Sequence, residues 1–453
     1  MFISGMQAAE RVSPPAVLVR GAMERWLAPD VLAEIARTSG GANYERKVTL
    51  EALTALMLDA VLGMQPSVHA AALARRDEWQ GSVQALYGKL ARVEPRFSTG
   101  LVRRTAAGIL PLVSRVPRGK RSAYSVKILD GTMPDGSEHR LGALRGLRAA
   151  GLPAKAVVVY DWATGVCERA AVAEDAYTSE KPLAEPLLDD ARPGEVYVGD
   201  RGFCTVRIMG RLLDRGASFV LRELTHDMVY EAERPERRRG RSPVGEAEVR
   251  LVCRERACVW PLRRIHVRLE EPTGDGDREL RLLTNLPTSY KARDVAELYR
   301  RRWRVERHFH LVKRELHGQM TTLGEPRAAI FALCAALAAG NVLAWIKSLT
   351  RGQRGDDDAP ALSGYYLALE ISRGYAAVEA LTSERDWQAL AALSTRGFQT
   401  WARRLADAVP WSRYVTHPRG PKQRPPPQAS GKHRHHYSTY RLLHPQNKES
   451  NAC

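Results

Sequence analysis

Three acidic residues stand where a carboxylate could act on a bound ligand. Asp130 follows the run "YSVKIL" and Asp200 follows "GEVYVG", so each ends a predicted β-strand. Ligands tend to bind where strands end at the edge of a sheet, although an aspartate in that place is also a common turn residue. The third acid, Glu306, lies alone in the basic stretch "YRRRWRVERHFHLVK" at residues 299–313. Two strand ends and one helix therefore predict a shared acidic site.

The basic stretch is predicted to be one helix with Glu306 at the margin of its buried face. With about 100° per residue, four side chains share a narrow stripe of the helical wheel: Tyr299, Arg302, Glu306 and Lys313. An i,i+4 ion pair between Arg302 and Glu306 on a solvated helix is the simpler interpretation. It explains the glutamate but not the stripe, so we favour a carboxylate directed at the strand ends. The apolar face beside the stripe is formed by Leu298, Val305, Phe309, Val312 and Leu316.

The rest of this helix is basic and aromatic. Trp303 could be a stacking platform, but packing is the more common use of a tryptophan at a helix edge. The histidines at positions 308, 310 and 317 are predicted to face the surface or DNA. The remaining arginines fan out over the opposite side of the wheel: Arg300, Arg301, Arg304, Arg307 and Arg314.

Composition favours a folded protein that binds a polyanion. The 453 residues are 44% hydrophobic, with a mean hydropathy of -0.34 and a formal net charge of +18. Such a charge concentrates nucleic acid around a protein, and an anionic membrane surface is the second candidate. The long apolar stretch at residues 328–346 is mostly alanine and contains Gly340 and Asn341, which favours a buried core helix over a membrane span. We therefore expect nucleic acid as partner and no membrane.

The cysteines and the beginning of the sequence predict a cytoplasmic, nucleoid-associated protein. The six cysteines are scattered and give no disulfide framework, which suits a reducing compartment. No basic start followed by an apolar segment, as in a signal peptide, is visible at the N-terminus. Cys253 and Cys258 form a lone pair with no second pair at zinc-finger spacing, so a metal site there is disfavoured.

The predicted elements change in kind along the chain, from helices to a mixed sheet flanked by helices and back to helices. Six regions follow from this pattern, and the sequence shows no internal repeat. They are a helical region at residues 1–115 that is a candidate for DNA-end binding, an α/β core at 120–223, a β-rich insertion at 224–290, a second part of the core at 291–350, a helical region at 351–411, and a basic tail at 412–453 predicted to be disordered.

The acidic site and its helix resemble a known family. Tyr299, Arg302, Glu306 and Lys313 match the Y-x2-R-x3-E-x6-K signature of insertion-sequence transposases with an Asp-Asp-Glu (DDE) active site, the cut-and-paste bacterial YREK class. "LDGTMP" and "VGDRGF" resemble the blocks around its two catalytic aspartates. "FVLRE" and "LLTNLP" resemble its next strand and the end of its β insertion. The acids are 200 − 130 = 70 and 306 − 200 = 106 residues apart, and the resemblance covers roughly residues 120–350.

The resemblance implies a ribonuclease H-like catalytic core that uses two divalent ions, Mg²⁺ or Mn²⁺. By analogy, Asp130 would bridge the two ions, Asp200 would bind one of them and Glu306 the other. Tyr299, Arg302 and Lys313 would contact the phosphates next to the cut. The other arginines expected to bind DNA are Arg300, Arg301, Arg304 and Arg307.

The implied function is DNA transposition. The protein would cleave the terminal inverted repeats of its own element and join the 3′ ends to target DNA, and two copies would pair the two ends as a homodimer. One alternative keeps the fold and the metal but makes the protein a repair or recombination nuclease, which would cut DNA without joining it. The other alternative is a non-catalytic DNA-binding relative.

Overall fold

The computed structural model describes most of the chain, and its contacts divide the chain into two units at residues 1–415 and 416–453. Only Thr416 of the second unit is described, so the predicted basic tail lies almost wholly outside the described residues. Its first residues belong to a short 3-10 helix, Trp411–Tyr414. The described residues are 4–40, 48–76, 81–113, 124–134, 151–224, 228–238, 240, 242–273, 276–354 and 362–416.

In the described part of the chain, ten strands form a single sheet. Their order across the sheet is β3-β2-β1-β4-β5-β10-β9-β8-β6, and β7 pairs with β8. The strands are β1 Ser125–Thr132, β2 Lys155–Asp161, β3 Cys167–Ala173, β4 Glu195–Gly199, β5 Ser218–Arg222, β6 Tyr230–Glu233, β7 Arg237–Arg238, β8 Val244–Cys253, β9 Cys258–Arg268 and β10 Glu279–Thr284.

The first five strands form a mixed sheet. β1 is antiparallel to β2 and parallel to β4, β2 is antiparallel to β3, and β4 is parallel to β5. With helices on its faces, this order of strands is a ribonuclease H-like α/β fold, which confirms the predicted fold class. β1 continues two residues beyond Asp130, to Thr132, whereas the sequence predicted that the strand stops at the aspartate.

The β-rich insertion continues the same sheet. β10 pairs antiparallel with β5, so the insertion strands extend the sheet sideways from the first five strands. The sequence predicted these antiparallel strands but not the pairing of β10 with β5, because the alternation of residues along a strand does not reveal which distant strand it pairs with.

Helices surround the sheet, as the sequence predicted for both ends of the chain. Among the described residues one helix, Pro326–Thr350, is long and apolar enough to cross a membrane, but 94% of its most apolar window is buried inside the protein. This buried position confirms the predicted core helix. The helices are α1 Ser4–Val12, α2 Pro14–Trp26, α3 Pro29–Thr38, α4 Leu50–Val61, α5 Val68–Ala74, α6 Val83–Leu90, α7 Pro95–Ile109, α8 Glu180–Ala184, α9 Val206–Asp214, α10 Ala292–Arg300, α11 Trp303–His310, α12 Pro326–Arg354, α13 Gly364–Leu381, α14 Glu384–Ala391 and α15 Thr395–Asp407.

The basic helix predicted for residues 299–313 is not one continuous α-helix. α10 ends at Arg300, α11 begins at Trp303, and a π-helical segment, Leu311–Glu315, follows. At the first junction the Arg302 amide donates to the Tyr299 carbonyl at 3.0 Å, an i→i−3 bond that tightens the turn. The prediction of one regular α-helix was therefore wrong, although the five residues of its predicted apolar face are all buried.

Candidate active site

The strand register brings the two aspartates together. Leu129 of β1 is paired with Gly199 of β4, so Asp130 and Asp200 lie side by side on neighbouring parallel strands, whose axes are about 4.8 Å apart. Gly199 is in turn paired with Leu221 of β5, which places Arg222 next in the row. Side chains alternate along a strand, so these three residues face the same side of the sheet.

α10 covers that side of the sheet and delivers the helix residues to the strand ends. Leu298 and Tyr299 are buried in the apolar cluster that also contains the valines of β1, β4 and β5. The Tyr299 hydroxyl donates to Asp200 Oδ1 at 3.4 Å. The Arg302 guanidinium donates to Asp130 Oδ2 at 3.0 Å and lies 3.5 Å from Glu306 Oε1. Three acids remote in the sequence thus share one neighbourhood.

Arg302 is the cation between these acids. Its side chain is only 11% exposed, and its Nε is buried with no hydrogen-bond partner in the structure. Burial alone would lower the pKa of Arg302, and the facing Asp130 carboxylate raises that pKa above its ordinary value. The i,i+4 pair with Glu306 exists, but the pair is part of the site and does not stand alone on a solvated helix.

The Asp130 carboxyl has a perturbed pKa. The pKa of Asp130 is raised to about 6, chiefly by burial and in part by Asp200 and Glu306, although Arg302 and the Gly131 amide act to lower it. Because both other acids act on this pKa, the three charges lie within electrostatic reach of one another. Burial also raises the pKa of the Tyr299 hydroxyl to about 12, so Tyr299 is a neutral hydrogen-bond donor near neutral pH.

The acids fit a divalent cation in chemical type, since hard cations bind carboxylate oxygens. Within the described ranges, however, no group of three or more His, Cys, Asp or Glu side chains is arranged to hold a metal ion. In this structure the guanidinium of Arg302 occupies the place between Asp130 and Glu306. Cys253 and Cys258 face each other across the β8–β9 hairpin, and no such metal-holding group includes them.

The remaining DNA-binding residues predicted on this helix lie in different surroundings. Arg301 and Arg304 lie over the ring of Trp162, at 4.3 and 5.1 Å from its centroid. Arg300 is 77% exposed and pairs with Glu297 at 3.1 Å. Arg307 is exposed, and Lys313 is half-buried in the π-helical segment.

Two predictions for this helix were wrong. Trp303 is 61% exposed, so it is not a packing residue. His308 is buried against the ring of Tyr160, with a centroid distance of 4.8 Å, whereas the sequence predicted a surface position. Burial lowers the pKa of His308 to about 3. On the wheel His308 borders the apolar face, and α12 covers that border, which the helix sequence alone does not show.

Three charged residues of the site were not recognised in the sequence. Arg222 lies 3.7 Å from Asp200 Oδ1 and also pairs with Asp277, which comes from the β9–β10 loop. Glu180, at the start of α8, lies so close to Gly131 that a Cβ there would be 2.3 Å from its Oε1. Arg222 ends a strand next to β4, so the strand-end rule that selected Asp200 could have found it. Asp277 and Glu180 have no comparable signal in the sequence.

Comparison with known proteins agrees with this arrangement. Residues 121–342 match a family model described as "Transposase DDE domain", a range that includes Asp130, Asp200 and Glu306. A search of curated proteins found no match. The match, on a ribonuclease H-like sheet with two aspartates side by side on β1 and after β4, supports a DDE transposase family for this chain.

Proposed function

We propose that this protein is a DNA transposase of the YREK class that cleaves the terminal inverted repeats of its own insertion sequence and joins the freed 3′ ends to target DNA. One observation carries the proposal. Asp130 and Asp200 lie side by side on neighbouring parallel strands, and Arg302 bonds Asp130 and lies 3.5 Å from Glu306, within the matched domain. The net charge of +18 supports a DNA substrate.

The carboxylates of Asp130, Asp200 and Glu306 would hold two divalent ions, Mg²⁺ or Mn²⁺. Bound there, the ions would activate the attacking oxygen, stabilise the leaving oxygen and neutralise charge at phosphorus. Arg302 now bonds Asp130 and lies against Glu306, so its guanidinium would have to leave this place for the carboxylates to hold ions. Turned toward the DNA, the two-pronged guanidinium of Arg302 would suit a phosphate.

The helix side chains give the DNA end its position. Tyr299 holds Asp200 through its hydroxyl, so it orients one carboxylate as well as lining the site. Exposed Arg300 and Arg307 are free of the apolar core and can reach phosphates, and the exposed Trp303 ring offers a surface on which a base could stack. Lys313 would add a further cation toward the phosphates next to the cut.

One site can serve each step, since hydrolysis at the element end and attack of the 3′-hydroxyl on the target are both in-line displacements at phosphorus. Water is the nucleophile in the first step, and the freed 3′-hydroxyl is the nucleophile in the second. Pairing the two ends of the element requires two copies of the site, so we propose a homodimer on DNA.

A nuclease of repair or recombination is the second candidate, because the same acids would support cutting without joining. A non-catalytic DNA-binding relative is the third candidate. Joining of a pre-cut 3′ end to plasmid DNA distinguishes a transposase from a nuclease. Binding with no nicking in Mg²⁺ or Mn²⁺ would favour the non-catalytic protein.

The test uses duplexes made from the inverted repeats that flank the gene, incubated with the full chain and Mg²⁺. We expect nicking at the repeat end and joining of a pre-cut end to plasmid DNA. Asp130→Asn should reduce both by about 10³-fold or more, because several kcal/mol of metal-derived stabilisation are lost. End binding in a gel shift should remain.

The matched control is Asp214→Asn, which removes the same charge from an exposed aspartate that is paired with Arg256. It should nick and join like the native chain. Nicking by Asp130→Asn at the native rate would refute the assignment of the site.

A further inference from the structure

Two arginines beside Asp200 bind a carboxylate that comes from a distant loop. Arg222, at the end of β5, is only 11% exposed, and Arg201 directly follows Asp200 in the chain. Asp277 Oδ2 accepts from the Nη2 groups of both, in a close contact with Arg222 and at 3.4 Å from Arg201. One carboxylate oxygen therefore lies between two guanidinium groups.

The loop that presents Asp277 is a folded turn. The Thr273 amide donates to the Asp277 carbonyl at 2.9 Å, and the Asp277 amide donates to the Thr273 hydroxyl at 3.1 Å. Gly276 adopts a φ of +86°, a left-handed conformation that disfavours other residues. Leu269 and Arg278 close the base of the turn with a backbone bond of 2.9 Å. The turn thus holds the carboxylate in place over the two arginines.

The place between the guanidinium groups of Arg201 and Arg222 suits a phosphate at least as well as a carboxylate. Arginine offers parallel N–H donors to an anionic oxygen, and a backbone phosphate presents two such oxygens. The Arg222 guanidinium is also 3.7 Å from Asp200 Oδ1, so an anion held here lies directly beside the proposed catalytic acids. The loop is acidic within a basic chain, since its sequence "LEEPTGDGD" at residues 269–277 contains four acids and no base.

We propose that Arg201 and Arg222 form a binding site for a DNA backbone phosphate next to Asp200, and that Asp277 occupies this site in the free protein. The inference rests on the proposed function, because it takes DNA as the substrate. DNA then displaces the Asp277 carboxylate, and the β9–β10 loop competes with the substrate for the same two guanidinium groups.

The experiment measures binding of a fluorescent duplex of arbitrary sequence to the full-length chain by anisotropy, without divalent metal. Asp277→Asn removes the competing charge and should tighten binding about five-fold or more, the range typical of coupled binding events. Asp214→Asn makes the same change in net charge at an exposed aspartate paired with Arg256 and should shift the affinity less than two-fold, roughly a surface-charge effect.

A double variant tests whether the gain acts through the arginines. Arg201 is used because its side chain is 37% exposed and tolerates replacement better than buried Arg222. In the Arg201→Gln background, Asp277→Asn should give a clearly smaller gain than in the native chain. Circular dichroism of each variant confirms that the fold is intact.

The outcomes separate this inference from the proposed function. If the native chain binds and nicks DNA while Asp277→Asn binds no more tightly than Asp214→Asn, the phosphate site is refuted and the transposase proposal stands. If the gain of Asp277→Asn is unchanged in the Arg201→Gln background, it is a general charge effect and the inference fails as well. If the native chain neither binds nor nicks DNA, the proposed function itself fails.

Discussion

Two clusters of acidic side chains occupy the same sheet, and each is arranged around one central cation, with an arginine at its margin. The open cluster consists of Asp130, Asp200 and Glu306 around Arg302. The closed cluster lies on the other side of β1 and consists of Asp161, Glu168 and Glu195 around Lys127. The two clusters have the same charges in different surroundings.

Each acid of the closed cluster is paired with Lys127, the longest distance being 3.7 Å to Glu195. Lys127 is 3% exposed, and its Nζ donates to Asp161 at 2.8 Å and to Glu168. Asp161 also accepts from the amide and hydroxyl of Thr164 at 2.7 and 2.9 Å. Burial alone would raise the pKa of Asp161, but Lys127 and Thr164 lower it below its ordinary value. This cluster joins strands β1 to β4.

In the open cluster the compensation is partial. Asp200 and Glu306 have side chains 35% and 45% exposed, and the pKa of Asp130 is raised, not lowered. The open cluster thus keeps charge that a cation could still neutralise. The comparison teaches that the number of acids around a base does not distinguish a structural ion cluster from a candidate active site, whereas the exposure of those acids does.

The largest effect is expected from Lys127→Met. It removes the cation that the three carboxylates share and, among the described residues, leaves only Glu168 with an ion pair, to Arg169 at 3.8 Å, and breaking a buried ion pair in this way costs about 3–5 kcal/mol. We expect the free energy of unfolding, measured by urea denaturation, to fall by that amount at pH 7. The control Lys291→Met removes the same charge at an exposed lysine that precedes α10 and should change stability by less than about 0.5 kcal/mol. Equal effects of the two variants would show that the closed cluster does not stabilise the fold.

A second prediction contrasts the two aspartates. Asp161→Asn should lower the free energy of unfolding by about 2–3 kcal/mol, because it weakens charge-assisted hydrogen bonds to Lys127 and Thr164.

Asp130 has a raised folded-state pKa of about 6, so folding disfavours its ionised form. Ionisation of Asp130 therefore reduces stability as pH rises from about 4 to above 6. In metal-free buffer at pH 7, Asp130→Asn should therefore raise stability by about 1 kcal/mol. Thermal and urea unfolding check both signs, and destabilisation by both variants would remove the distinction between the clusters.

The third prediction concerns His308, which shares α11 with Glu306 but faces the core. Its folded-state pKa of about 3 lies below the ordinary 6.5, so protons bind the unfolded chain preferentially. The stabilisation that neutral His308 gives the folded chain is complete above pH 6.5 and is lost as pH falls toward 3. The free energy of unfolding should therefore fall by about 2 kcal/mol between pH 7 and pH 5.

Urea denaturation at pH 7 and pH 5 gives the change in free energy of unfolding between these pH values. For His308→Gln this change should be about 2 kcal/mol smaller than for the native chain. Exposed His310, replaced in the same way, should leave the pH difference unchanged. A native difference retained by His308→Gln would assign the acid sensitivity to other groups.

Local rules in the sequence were sufficient for the central part of the candidate site. Apolar runs that end in an acid predicted Asp130 and Asp200 at strand ends, and parallel pairing of β1 with β4 places them together. The helical stripe predicted that Tyr299, Arg302 and Glu306 approach those ends, and the first two bond the aspartates directly. These features depend on strand and helix periodicity, which a single sequence displays.

Features that depend on distant pairing could not be predicted in this way. No proline or glycine marks the interruption between α10 and α11 in the sequence. The interruption arises because an i→i−3 bond replaces an i→i−4 bond within an otherwise ordinary helix sequence. The role of Asp277 depends on the β9–β10 turn reaching Arg222, which only the assembled sheet brings about. The burial of His308 depends likewise on α12, which follows later in the chain.

The pairing of β10 with β5 limits how this protein could be rebuilt. Leu282 of β10 lies opposite Arg222 and Leu283 opposite Leu221, and the two leucines belong to apolar clusters on opposite faces of the sheet. A β10 taken from a relative and inserted with its register displaced by one residue would exchange those faces and shift the loop that places Asp277 against Arg222. A chimera should therefore carry β5 through β10 as one segment.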